Sequence, residues 1–477
     1  MAFTSEEESK IRQIIDAFDN GKRLSDLPEA KGANPFDLIC EVMDTDGESK
    51  QAALATLLPY LEEQCAYGIE KDFAVSSTSC TRIGNLDLHR SLPIQKRMKG
   101  CLLDDDGKVV EYLNPNSWEA HKRDGSRGQV MVEIPQHWQK NETEGTVKRV
   151  KISEYPLPGY QFIPTMYMSA YEASVQRSTS KLCSVVNNTA DYRGGGNNAE
   201  WDDTYRSLLG RPATVISRAN FRKYARNRKS GETGWNCLDY NVYKNVFWLY
   251  VIEYANFNCQ LTYNPALTAE GFAQGGLGAG VTNLDSGKWN TFNSYMPFIP
   301  CGYTDSLGNG TGVVEFSMPA EYDANTLKVQ VPRYRGIENP FGHIWGWCDG
   351  INIEIQSDAD GGQSKVWTCK DPAKYNDSNY DGYEIKGNEA RTEGYIKDII
   401  FGNDADMIPS AVGGGSTSYV GDYHYTNIPA SGVSLRGVLF GGNAFSGAYA
   451  GFASAYSAYV PSNTIARFGS RLCFLPS

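Results

Sequence analysis

The most apolar stretch of the chain, Val246-Phe-Trp-Leu-Tyr-Val-Ile252, is only seven residues long. That is far short of the ~20 apolar residues that span a bilayer, so the reading excludes membrane insertion. The chain is also rich in glycine, with 48 in 477 residues. Yet 41% of residues are hydrophobic and 12% aromatic, too apolar for a disordered chain. Short runs between turns describe a loop-rich globular protein of about two to four domains. No period of roughly 20–50 residues is visible, which sets aside solenoids and propellers.

Charge narrows the partners. With 45 Lys+Arg against 56 Asp+Glu the net charge is −11, which argues against nucleic acid or an anionic membrane as the main partner. A local basic segment, Arg218-Ala-Asn-Phe-Arg-Lys-Tyr-Ala-Arg-Asn-Arg-Lys229, carries Phe221, Tyr224 and Ala225 at helical spacing and is read as an amphipathic helix with a solvated basic face. Acidic Glu6-Glu-Glu8 stands where a signal peptide needs a basic start. Eleven cysteines without a C-x-x-C pair fit neither a zinc site nor a disulfide framework and read as buried free thiols. His89, His121, His137, His343 and His424 lie too far apart for a metal or hydrolase motif and read as structural.

Along the chain, Ser5 to Asn20 places Ile11, Ile14, Ile15 and Phe18 at helical spacing after acidic residues, and a second helix is expected across Ser49–Gly68. Residues 1–70 thus form an expected helical module. From 71 to 155, runs such as Gln129–Ile134 and Thr146–Ile152 between Asp-Gly turns predict a small β-rich attachment domain. Residues 156–477 mix a few helices, clearest at 221–228 and 243–254, with many short strands. The class expected is α+β.

Three segments invite a site. Gly275-Gly-Leu-Gly-Ala-Gly-Val-Thr282 resembles a phosphate loop, but Asn283-Leu-Asp-Ser-Gly287 after it reads as a turn, which would leave no helix N-terminus to face a phosphate. Asp377, Asn379 and Asp381, followed by Gly382, match the first half of a calcium loop, but position 12 is Asn388 where a bidentate Glu is needed. They remain weak metal candidates, and no cofactor is expected. The third segment, 436–470, is built almost wholly from Gly, Ala, Ser, Tyr, Phe and Asn, and its only charges are Arg436 and Arg467. Rigid aromatics among adaptable small polar residues are the palette of a binding surface. A packed terminal loop with its aromatics turned inward remains the alternative.

Several ordered motifs carry a resemblance. Pro164-Thr-Met-Tyr-Met-Ser-Ala-Tyr-Glu-Ala-Ser174, Asn339-Pro-Phe-Gly-His-Ile-Trp-Gly-Trp347, Arg436-Gly437 and Gly469-Ser-Arg-Leu-Cys473 resemble, in order, elements of the C-type-lectin-like fold in its formylglycine-generating-enzyme branch. Arg335–Trp345, Leu249–Asn256 and the terminal Gly-Ser-Arg-Leu-Cys-Phe474 are similar to the variable proteins of diversity-generating retroelements in phages of Bacteroides-type gut bacteria. The resemblance implies a C-type-lectin-like domain at 156–477 with a variable region at about 436–473. It implies a virion-surface or tail-fibre receptor-binding protein, assembled in the bacterial cytoplasm, whose partners are a host surface protein or glycan and other virion proteins, with a homotrimer as one assembly. The expected contact residues are Asn443, Phe445, Ser446, Tyr449, Phe452, Tyr456, Ser457, Tyr459, Asn463 and Ile465, exposed on one face. Arg436, Gly469, Arg471 and Cys473 are expected to be scaffold. The oxidases of this branch need a cysteine pair near the C-terminus, whereas Cys473 has Cys369 as its nearest partner in sequence, so no enzyme activity is expected. A purely structural virion component stays open as the alternative, with an oxidase a more distant one.

Overall fold

The computed structural model describes residues 39–43, 49–53 and 61–476. The helix expected over residues 5–20 lies outside them. The second expected helix is corrected: Ser49–Ala53 is a strand paired antiparallel with Ile39–Met43, residues 61–65 are helical, and Ala66–Asp72 is again a strand. The reason is pairing. Ala66–Asp72 is hydrogen-bonded along its whole length to Val147–Ser153, and a partnered backbone overrides helix propensity.

The chain is mostly β with few helices. Residues 66–163 build a five-stranded antiparallel sheet in the order Gln161–Ile163, His137–Glu144, Val147–Ser153, Ala66–Asp72, Thr81–Gly84. A six-stranded sheet runs Trp235–Cys237, Leu472–Phe474, Met166–Ser169, Gln129–Ile134, Lys99–Leu103, Val109–Tyr112. The last strand of the chain is thereby set between Met166–Ser169 and Trp235–Cys237, with Cys473 opposite both Met168 and Asn236. Strands from both sides of residue 155 share this sheet, and one hydrophobic core runs from Tyr67 to Cys473.

The long helix Tyr240–Tyr254 runs through that core. Asp239 caps it by accepting from Asn241 N (2.8 Å) and Val242 N (3.1 Å), and Ala255 ends it in the left-handed region. Its residues are buried all round apart from Asn241, as expected for a helix apolar on every face. No helix of the described residues is long and apolar enough to cross a membrane.

The basic helix is Arg218–Arg226, and its solvated basic face is corrected. Arg218 is fully buried, donating to Ile351 O (2.7 Å) and Asn352 Oδ1 (2.5 Å), and Arg222 pairs with Asp349 (2.5 Å). Two aspartates, Asp349 and Asp377, supply the counter-charge that lets these guanidinium groups leave water. Between them, Asp349 and Asp377 hold the Arg222 guanidinium in its charged form against the cost of burial.

The largest sheet carries the C-terminal run. Its order is Glu384–Asn388, Ser364–Thr368, Trp345–Gln356, Val433–Gly441, Gly451–Tyr456, Tyr423–Tyr425, Gly394–Ile400, Ile408–Val412, with Phe468–Gly469 added parallel to Trp345–Gly346.

Candidate functional site

Three adjacent strands of this sheet set out a row of tyrosines. Tyr395 stands directly opposite Tyr423 in the antiparallel pair, and Tyr425 stands opposite Tyr456 in the parallel pair. Directly opposed residues bring their side chains together, and alternation puts Tyr423 and Tyr425 on one face and His424 on the other. The ring centroids are 5.3 Å apart for Tyr395–Tyr423, 4.7 Å for Tyr423–Tyr425 and 4.8 Å for Tyr425–Tyr456. Tyr449, from the short turn Gly447–Tyr449, lies 4.3 Å from Tyr423 and 5.4 Å from Tyr395. Tyr459 extends the row from Tyr456 (4.9 Å) to Phe468 (5.0 Å). Buried Trp345 supports it from below, at 5.3 Å from Tyr456. All six tyrosines reach solvent, Tyr449 most of all at 42%.

A second aromatic group adjoins the first. Phe445 packs on Trp289 and Tyr295 (6.0 and 6.1 Å), and the Arg467 guanidinium lies 5.6 Å from Tyr295, 5.6 Å from Phe445 and 5.8 Å from Phe468. Asn463 and Ile465 are half-buried on the segment leading to Arg467.

Four expected contact residues are corrected, because they are buried. Phe452 is 1% exposed, with its ring 5.1 Å from Tyr250 and 6.1 Å from Tyr243. The strand pairs Gly441 with Gly451 but Phe440 with Ala455, and this irregularity at 452–454 turns Phe452 into the core. Asn443 and Ser446 close on each other: Ser446 Oγ donates to Asn443 Oδ1 (3.1 Å) and accepts from Asn443 N (2.9 Å). Ser457 Oγ donates to Glu389 Oε1 (2.8 Å) beneath the sheet. Phe445, Tyr449, Tyr456, Tyr459, Asn463 and Ile465 retain access to solvent. Tyr395, Tyr423 and Tyr425 were outside the sequence expectation, although Tyr423-His-Tyr425 is an alternating signal of a half-exposed strand.

Burial shifts three titratable groups under the row toward their uncharged forms. Burial pushes the Glu389 carboxyl up to about 8, and Ser457 and Thr426 are its hydrogen-bond donors. Burial raises the Asp422 carboxyl well above the usual carboxylate range, where it accepts from Ala453 N (2.7 Å). Burial also holds His424 near 4, so the imidazole is neutral as it meets Ala390 O (2.9 Å). Gly451 is required here: its φ is +155°, and a Cβ would lie 2.0 Å from Asp422 Oδ1.

Of the scaffold residues, Gly469 and Cys473 are buried and Arg471 is 5% exposed, donating to Ser169 O (3.2 Å), to Asn339 O (2.5 Å) and to Glu338 O. Arg436 is half-buried. The weak metal candidates are corrected. Asp377 Oδ1 accepts from Arg218 Nε (2.7 Å) and Arg222 Nη2 (2.9 Å), which commits that oxygen to arginine, and Asn379 Oδ1 accepts from Asp381 N (3.0 Å) in a local turn. Among the described residues no group of three or more His, Cys, Asp or Glu could hold a metal ion. A helix, Ser286–Asn293, does follow the glycine-rich loop where a turn was expected, and the Asp285 carboxylate caps it by accepting from Lys288 N (2.8 Å). That carboxylate occupies the place a phosphate would need.

No family model matches the chain, and no curated protein does. Among solved structures, PvdO from Pseudomonas aeruginosa aligns over 73% of this chain and 95% of its own at 10% identity and a TM-score of 0.30. The Major Tropism Determinant M1 variant aligns over 71% of each chain at 12% identity and a TM-score of 0.22. Its P3c variant aligns over 93% of this chain and 95% of its own at 13% and 0.21.

Proposed function

We propose that this chain is a phage receptor-binding protein that displays a diversified contact surface on a C-type-lectin-like scaffold, at the virion surface. The observation that carries the reading is the row of Tyr395, Tyr449, Tyr423, Tyr425, Tyr456 and Tyr459, six contiguous rings that all reach solvent. Tyrosine gives large contact area at low entropic cost, and small residues such as Gly447, Ala448, Ser462 and Asn463 leave room around it. The work of this face is contact, not catalysis. Its partner is a protein or glycan of the host cell surface, and the rest of the chain joins other virion proteins, with a homotrimer as the assembly to test.

Diversification then has defined positions. Phe445, Tyr449, Tyr456, Tyr459, Asn463 and Ile465 reach solvent and are open to change, Phe445, Tyr456, Tyr459 and Ile465 while also packing on the core beneath, whereas Asn443, Ser446, Phe452 and Ser457 are buried. Sequencing the 3′ end of the gene across a passaged phage population tests this. Substitutions are expected at the first set and not the second. A uniform sequence, or variation falling on Phe452 and Ser457, would contradict the reading.

A further inference from the structure

Two cations of the C-terminal run, Arg436 and Arg467, have a buried Nε without a hydrogen-bond partner, and of the two Arg467 is the one set among aromatic rings. Arg467 is half-exposed, its Nε is buried without a hydrogen-bond partner, and its side chain makes no hydrogen bond or ion pair among the described residues. This contrasts with Arg218, Arg222, Arg228, Arg333 and Arg471, each of which donates to a carboxylate or a carbonyl. Three rings hold Arg467 in place: Tyr295, Phe445 and Phe468 lie within 5.8 Å of its guanidinium carbon. Their π faces offset part of its charge, but they leave its N–H donors unanswered.

We propose, resting on the reading of this face as the binding surface, that Arg467 anchors a carboxylate of the ligand and that the ligand is an acidic polysaccharide. A planar guanidinium fork matches a carboxylate in bidentate fashion, and its rigid aromatic surround reduces the ordering cost of that match. Through Phe468 and Tyr459 the anchor is continuous with the tyrosine row. The row offers ring faces, and the Tyr423, Tyr425 and Tyr449 hydroxyls make no hydrogen bond among the described residues. A sugar acid needs this set together: an aromatic face for its C–H side, hydroxyl partners for its rim and a cation for its carboxylate.

Binding of the full chain to immobilised polygalacturonate, alginate and hyaluronate tests this, with fully methyl-esterified polygalacturonate and poly-L-glutamate as controls. The chain is expected to bind at least one of the three uronate polymers, more weakly as salt rises. Arg467→Gln should bind about tenfold or more weakly with an unchanged melting temperature, because it loses a charged hydrogen bond, and Arg467→Lys should fall between. Esterification should abolish binding by removing the carboxylate. Equal binding by Arg467→Gln, equal binding of poly-L-glutamate, or no binding to any uronate polymer would overturn the proposal. Host-cell adhesion separates the two failures. If Arg467→Gln adheres as the parent does while loss of Tyr423 and Tyr449 prevents adhesion, the anchor is wrong and the face stands. If neither change affects adhesion, both fall.

Discussion

Phe452 and Tyr449 stand three residues apart in the same aromatic, glycine-rich run, and the structure assigns them opposite roles. Phe452 is 1% exposed, with ring neighbours at 5.1–6.3 Å: Tyr243 and Tyr250 on the long helix, and Tyr334 and Phe341 outside it. Replacing it by alanine removes a buried ring among groups that cannot collapse together, a loss of about 3–5 kcal/mol. Tyr449 is 42% exposed and its ring neighbours are the surface tyrosines Tyr395, Tyr423 and Tyr425, so Tyr449→Ala forfeits ring contacts worth about 1 kcal/mol. The two variants should therefore differ by at least about 2 kcal/mol. Urea unfolding followed by tryptophan fluorescence and by circular dichroism measures it, with Phe452→Ala shifting to markedly lower midpoint and Tyr449→Ala close to the parent. Equal midpoints would refute the division of this run into core and surface. A larger loss at Tyr449 would show that the row is packed structure.

Glu389 makes stability depend on pH. Its carboxyl titrates near 8 in the fold against 4.5 in the unfolded chain, so between those values the unfolded state binds fewer protons and stability falls as pH rises. Removing this liability with Glu389→Gln should flatten the decline between pH 5 and pH 8, by roughly 3–4 kcal/mol at most, and thermal melts across that range check it. Gly451→Ala forces a Cβ against Asp422 at a positive φ and should lower the melting temperature or prevent soluble expression, whereas alanine at Gly447, which has open space, should express normally with a smaller cost from its own positive φ. Asp377→Asn leaves buried Arg218 without its carboxylate and should cost about 3–5 kcal/mol, and added calcium should leave the melting temperature of the parent unchanged.

The elements that local pattern controls were legible in the sequence. The two helices at 218–226 and 240–254 follow from apolar spacing, and the aromatic run at 436–470 from its alphabet. What long-range pairing decides was not. Tyr395, Tyr423 and Tyr425 join one row with Tyr456 because a parallel pair brings residue 425 beside 456, and nothing local in either segment records that register. Phe452 is core because the strand loses its regular alternation at 452–454. Arg218 and Arg222 looked solvated because their partners, Asp349 and Asp377, lie more than a hundred residues downstream. The Ser49–Ala53 strand was hidden by the apolar stripe that follows it.

The central claim is that the tyrosine row binds the host while the fold holds it out, and the triple change Tyr395→Ala, Tyr423→Ala, Tyr449→Ala tests it most directly. Purified parent and variant are compared by thermal melting and by adhesion to the host bacterium. The account expects a melting temperature within a few degrees of the parent and adhesion reduced more than about tenfold, since a hot-spot aromatic is worth roughly 2 kcal/mol or more. Undiminished adhesion by a folded variant, or a variant that cannot fold, would contradict it.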